Sequence, residues 1–212
     1  MTQATVTAIV TSIPTRREML ACALSSVHDQ IRVPDDVIVR VDADRHGPAH
    51  QRNEATLRAG TEWVAFLDDD DWWYADHLES LLLAAAATGA DLVYPWFDLY
   101  YDTTDCTIRN DLDPLWVAGE RAFGRVFDDT ARDHLLTTGN FIPVTVLVRR
   151  EALLDVGGFP LPGTVDWPHK DCEDWGAWRR LAHAGAQFHH VPRRTWGWRW
   201  HRKNTSGRTD RW

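Results

Sequence analysis

The sequence predicts a three-layer α/β fold around a mostly parallel central sheet. Two observations carry the prediction. Apolar, β-branched runs alternate with helical periodicities through residue 97, the order of consecutive strand–helix–strand units. Two of those runs end abruptly in acids, DAD at 42–44 and DDDD at 68–71, which places polar chemistry at strand carboxyl ends, where open α/β sheets bind their ligands. With 212 residues, 44% hydrophobic and 25% charged, the chain is sized for one core and a single domain over 1–212, and neither disorder nor a fibrous repeat fits.

Each element follows from its local pattern. Residues 5–13, TVTAIVTSI, are almost continuously apolar, as a strand buried on both faces requires, and Pro14 and Thr15 end it. Met19, Leu20, Ala23, Leu24 and Val27 recur at helical spacing before Pro34. DDVIVRVDAD, residues 35–44, reads as a second buried strand, and GPAHQRNEATLRAG as a turn and helix capped at Gly60. EWVAFL is a third strand running straight into DDDDWW, DHLESLLLAAAATG a helix ending at Gly89, and DLVYPW a fourth strand. Residues 98–139, rich in Asp and Thr, read as loops and short helices over the sheet. PVTVLVRREALLDVGGF at 143–159 reads as strand, helix and double-glycine turn. EDWGAWRRLAHAG is an amphipathic helix with Trp175, Trp178, Leu181 and Ala182 on one side, and a short strand near FHHVP leads to an Arg- and Trp-rich tail.

Composition excludes several classes. A net charge of -8 argues against a surface devoted to nucleic-acid phosphates. Cys22, Cys106 and Cys172 are scattered and odd in number, suggesting neither a disulfide framework nor a cysteine zinc site. The first residues carry no charged region ahead of an apolar run, and no stretch is long enough to span a membrane, so a cytoplasmic protein is expected. No Walker-type GK[ST] loop and no GxSxG element occurs. Twelve tryptophans are many for this length; some are expected in the core, and Trp and Tyr also line sites that stack on flat ligands or sugar rings.

The string FLDDDDWW at 66–73 is the most informative. Four adjacent carboxylates repel one another and need a counter-charge. An acidic run alone reads as a solvated turn; at the end of an apolar strand it reads as a site for a hard divalent cation, Mn²⁺ or Mg²⁺, bridging to a diphosphate. His46 and His50 are four apart, but Pro48 between them disfavours helical zinc geometry.

In order along the chain, IVTSIPTRR, IVRVDAD, HQRNEA, LDDDDWW, VRREALLDVGGF, CEDWGAWRRLAHAG and HRKNTS together resemble the family 2 glycosyltransferases of the GT-A fold over nearly the whole length. The resemblance implies an inverting enzyme that moves a sugar from a nucleoside-diphosphate donor to a hydroxyl acceptor, a saccharide, lipid or other small molecule. Residues 1–97 would form the nucleotide-sugar half, and 98–212 the acceptor half and tail. It further implies that Pro14 and Thr15 wall the nucleotide pocket. Asp42, Asp44 or both contact base or ribose, the usual acid pair being interrupted by Ala43. Arg52 and Asn53 lie near the sugar or diphosphate. Asp68 and Asp70 match the outer positions of the DxD element, with Asp70 the first choice of metal ligand. Asp69 belongs to the same donor-binding run, and Asp69 or Asp71 takes over if the register shifts by one. His201 matches the late metal-side histidine. Asp174 is the base that removes the acceptor proton and Glu173 binds or orients the acceptor; read without the resemblance, the same pair favours a helix amino terminus through its dipole.

From Arg193 to Arg211 the tail interleaves Arg and Lys with Trp196, Trp198 and Trp200. Three readings stand: stabilisation of the leaving diphosphate, single-stranded nucleic acid, or tryptophans alternating in and out of a strand. Two rivals to the transferase also stand, a non-catalytic sugar or nucleotide binder and a nucleotidyltransferase, and product identity separates them. A homo-oligomer is left open; no nucleic-acid partner is expected.

Overall fold

A computed structural model describes residues 4–101, 126–164 and 173–201. Strands β1 (Val6–Ser12), β2 (Asp36–Val41), β3 (Trp63–Asp68), β4 (Trp72–Trp73), β5 (Leu92–Tyr101), β6 (Leu147–Arg149) and β7 (Phe188–Trp200) form one sheet in the order β2-β1-β3-β6-β5-β7-β4. β1 is parallel to both β2 and β3, and β5 and β7 make a second parallel pair. β6 joins the two blocks antiparallel to each, and β4 runs antiparallel to β7. The helices are α1 (Arg17–His28), α2 (Pro48–Arg58), α3 (His77–Thr88), α4 (Asp129–Thr137), α5 (Arg150–Asp155) and α6 (Glu173–His183).

Side chains alternate across a strand, so the two central strands feed two cores. Ile9, Val64 and Phe66 pack with Ala55 of α2, Leu135 of α4, Leu153 of α5 and Trp178 of α6. Ala8, Val10, Ala65 and Leu67 turn the other way, against Ala23 and Val27 of α1 and Leu78 and Leu81 of α3. This gives the three layers expected from the sequence. Each fully buried large apolar side chain contributes about 1.5–3 kcal/mol relative to exposure.

Three elements differ from the sequence reading. β2, expected to be buried, is the edge of the sheet, with Val39 38% and Val41 46% exposed. Its apolar run matches that of a central strand, and only topology leaves it with a single neighbour. The strand near FHHVP is not short: β7 continues to Trp200 because β5 offers a parallel partner from Leu92↔Phe188 to Tyr101↔Trp200, with a bulge at Pro95 and Trp96. Trp196 and Arg199 are each only 2% exposed, so this part of the tail is strand, but its tryptophans do not alternate in and out: they grade from buried Trp196 through Trp198 to exposed Trp200. Helix α2 ends at Ala59 in extended backbone, not at a left-handed Gly60, whereas Gly89 after α3 does take the left-handed cap, at φ 71°. Cys22 lies on α1, and Cys106 and Cys172 lie outside the described residues. Most of the 98–139 segment and the tail beyond His201 also lie outside them. No helix among the described residues is long and apolar enough to cross a membrane.

Candidate active site

The chemistry-bearing residues gather at the carboxyl ends of β1 and β3, between the amino termini of α1 and α6 and the end of β7. Asp68 closes β3, and a turn closed by Asp71 N–H to the Asp68 carbonyl at 3.2 Å folds the rest of the acidic run back on it. The four side chains then diverge. Asp68 accepts from Thr11 Oγ1 at 3.1 Å and Arg52 Nη2 at 2.6 Å. Asp69 turns towards the β1–α1 loop, accepting from Ser12 Oγ at 2.7 Å, Ile13 N at 3.4 Å and Arg16 Nη1 at 2.9 Å. Asp70 accepts from Arg16 Nη1 at 2.8 Å and lies 3.0 Å from His201 Nε2. Asp71 accepts from the Arg199 backbone N–H at 2.9 Å.

Asp68, Asp70 and Asp71 each present a carboxylate oxygen within 4.8 Å of the others. Clustered carboxylate oxygens suit a hard divalent ion such as Mn²⁺ or Mg²⁺, and the electrostatics demand further positive charge. Burial, then the Asp70 charge, pushes Asp69 up to about 6. Burial and the charges of Asp70 and Asp68 push Asp71 well above the usual carboxylate range. Burial also opposes ionisation of Asp70, but the His201 hydrogen bond and the Arg16 charge outweigh it and hold its pKa low.

Arg52 ties this cluster to α6. It is buried, and its guanidinium donates to Asp68 and to Glu173, the first residue of α6. Burial disfavours its charge, yet the two carboxylates more than restore it and raise its pKa. Next to Glu173, Asp174 accepts from the Trp175 backbone N–H at 2.7 Å. Burial, then the Glu173 charge, pushes Asp174 up to about 7.

The remaining sequence candidates divide. Pro14 and Thr15 are exposed on the loop that Asp69 holds. Asp42 is buried with both oxygens engaged, Oδ1 accepting from His46 N and Gln51 Nε2 at 2.9 Å each and Oδ2 from Gly47 N at 2.8 Å, so it shapes the entry to α2. Asp44 is exposed beyond it. Asn53 does not join the acidic cluster: it donates to the Phe159 carbonyl at 2.7 Å and accepts from Phe159 N at 2.8 Å, clamping the double-glycine turn. Gly158 must be glycine there, since its φ is +68° and a Cβ would lie 2.4 Å from Asn53 Oδ1. Arg16 carries no role in the sequence reading. The only local signal for it is an arginine directly after the Pro-Thr turn, and its partners lie 53 and 54 residues away.

The sequence profile of glycosyl transferase family 2 matches residues 19–157, well over half of the chain. Among solved structures, S. aureus TarS 1–349 in complex with UDP-GlcNAc aligns with a TM-score of 0.66 at 14% identity, over 96% of this chain and 61% of that one. The same TarS fragment in complex with UDP gives 0.61 at 14%, over 92% and 60%, and S. aureus TarS gives 0.62 at 16%, over 91% and 36%. This chain therefore spans about three-fifths of the TarS fragment, and at such identity the likeness is one of fold. No curated protein sequence matches the chain. The extent of the profile match decides the family: this chain belongs to glycosyl transferase family 2.

Proposed function

We propose that this chain is a metal-dependent, inverting glycosyltransferase that moves a sugar from a nucleoside-diphosphate donor to a hydroxyl acceptor. Residues 1–97 serve the donor, and 98–212 comprise the acceptor side and the carboxyl-terminal tail, whose His201 lies beside Asp70. The observation that supports this best is the joining of two carboxylate groups of different character. The Asp68, Asp70 and Asp71 oxygens converge within 4.8 Å, and Arg52 links them to Glu173, beside Asp174.

Asp68, Asp70 and Asp71 would hold a Mn²⁺ or Mg²⁺ ion, with His201 beside Asp70 as a further nitrogen ligand or as the group that orients that carboxylate. Such an ion supplies Lewis-acid stabilisation of the departing diphosphate. Asp174 accepts the acceptor hydroxyl proton as the oxygen attacks the anomeric carbon. A carboxylate poised near 7 suits that task at neutral pH, holding the proton well enough to take it while still ionising. Glu173 orients the acceptor, and Arg52 fixes its distance from the donor-side acids. On the nucleoside side Asp42 is committed to its own loop, which leaves the exposed Asp44 as the acid for base or ribose. UDP-linked sugars are the first donors to test, because S. aureus TarS is seen with UDP-GlcNAc and with UDP.

The test measures nucleoside diphosphate release from UDP-sugars with Mn²⁺ across a panel of acceptors, for the parent and Asp70→Ala. Loss of turnover and of metal-dependent donor binding in the variant is expected; full activity removes the metal assignment. Donor binding without release for any acceptor identifies a binder. Pyrophosphate release from a nucleoside triphosphate identifies a nucleotidyltransferase.

A further inference from the structure

We propose that Arg16 is a built-in competitor of the divalent ion, its guanidinium and the ion claiming the same carboxylate of Asp70. The inference rests on the metal reading above. Arg16 Nη1 donates to Asp69 Oδ1 at 2.9 Å and to Asp70 Oδ2 at 2.8 Å. Asp70 is one of the three carboxylates that converge within 4.8 Å. A cation drawn to that group meets a positive charge already seated on one of its ligands, and at short range in a partly dry site like charges repel strongly.

Among the described residues, the side chains of Arg16 and Arg52 both pair with the acidic run, and Arg16 is the more exposed of the two. The Arg52 side chain is 3% exposed, pairs with Asp68 and Glu173 from different elements, and lies over the Phe159 ring at 5.6 Å. Moving it strands two carboxylates and cuts the link between α2 and α6. The Arg16 side chain is 15% exposed and stands at the end of the turn after Pro14 and Thr15, immediately before α1. Its bond to Asp69 survives the loss of Asp70. Asp69 stays pinned by Ser12 Oγ and Ile13 N, so the loop keeps its shape while Asp70 is released. Asp69, the one acid of the run outside the converging three, is thus the resting partner of the arginine.

The experiment titrates Mn²⁺ alone, without nucleotide, into the parent, Arg16→Gln and Arg16→Lys by calorimetry, with circular dichroism as the check of folding. Arg16→Gln should bind Mn²⁺ roughly tenfold more tightly than the parent, one repelling charge being gone. Arg16→Lys keeps the charge and should stay within about threefold of the parent. Mn²⁺ should also raise the melting temperature of Arg16→Gln by more than that of the parent. Unchanged or weaker binding by a folded Arg16→Gln overturns the proposal and leaves the metal reading intact, as does equal tightening in Arg16→Lys. A neutral variant that folds only with Mn²⁺ supports the proposal; one that stays unfolded with Mn²⁺ overturns it. Absence of Mn²⁺ binding by all three proteins overturns the metal reading, and this proposal with it.

Discussion

Replacing Asp174 with Asn should make the protein more stable and remove transfer. The amide keeps an oxygen to accept the Trp175 backbone N–H and nearly the same shape, so the change is chiefly one of charge. In the folded chain Asp174 is pushed up to about 7, against an ordinary value near 4 in the unfolded chain. Between those values the folded state holds a proton that the unfolded state has released, so stability falls as pH rises through the window and levels off above about 7. The variant has no such titration. From pH 5 to pH 7 the parent loses about 1.4 kcal/mol per unit, about 3 kcal/mol in all. Asp174 retains some exposed surface even though protein atoms crowd its carboxyl, and screening by the water that reaches it brings the expectation to about 1.5 kcal/mol. Urea unfolding of parent and variant at pH 5, 6, 7 and 8 measures the difference directly. The variant's advantage should grow up to pH 7 and then stay level. An advantage that is constant across the series, or that shrinks towards pH 8, would refute the reasoning. In the same proteins, donor binding should survive, transfer should vanish in the variant, and the parent's transfer rate should rise through a midpoint near 7.

Three further perturbations test other parts of the structure. Arg52→Met leaves Asp68 and Glu173 without their shared cation and should destabilise the protein by about 3–5 kcal/mol in chemical unfolding, a loss under 1 kcal/mol being incompatible with the bridge described. Gly158→Ala combines a left-handed backbone with a Cβ placed against Asn53 and should cost about 2–4 kcal/mol. Combined with Asn53→Ala it should cost less than the sum of the two single changes, and strict additivity would show that the contact is absent. His77 is fully buried, donates to or accepts from Thr195 Oγ1 at 2.8 Å, and burial depresses its pKa to about 3. The unfolded chain takes up a proton below about 6.5 that the folded chain refuses, so this stability is whole above that value and declines at about 1.4 kcal/mol per unit towards pH 3. His77→Asn should flatten the decline by that amount between pH 6.5 and 4.5; parallel stability curves count against it.

How much of this was legible beforehand varies by residue. β1 and β3 declare themselves because a strand covered on both faces is apolar or β-branched at nearly every position, as TVTAIVTSI and EWVAFL almost are. DDVIVRVDAD looks the same, yet β2 has one neighbour, a fact of strand order that local pattern does not contain. β7 shows the reverse case, its Arg- and Trp-rich half becoming strand because β5 is long enough to pair with it.

At the site, the acidic run and its place at a strand end were written in the sequence, since four neighbouring carboxylates demand a counter-charge wherever they lie. The three-dimensional structure alone decided which of the four turns to which partner. Adjacent residues on α2 point about 100° apart, given 3.6 residues per turn, so Arg52 reaches the acids while Asn53 clamps Phe159. Arg52 meets Glu173 across 121 residues of chain, and Arg16 meets Asp70 across 54. Side-chain periodicity is a local property and declares each element's buried face. The pairing of charges is settled when the sheet brings distant strand ends together, and no local pattern carries that information.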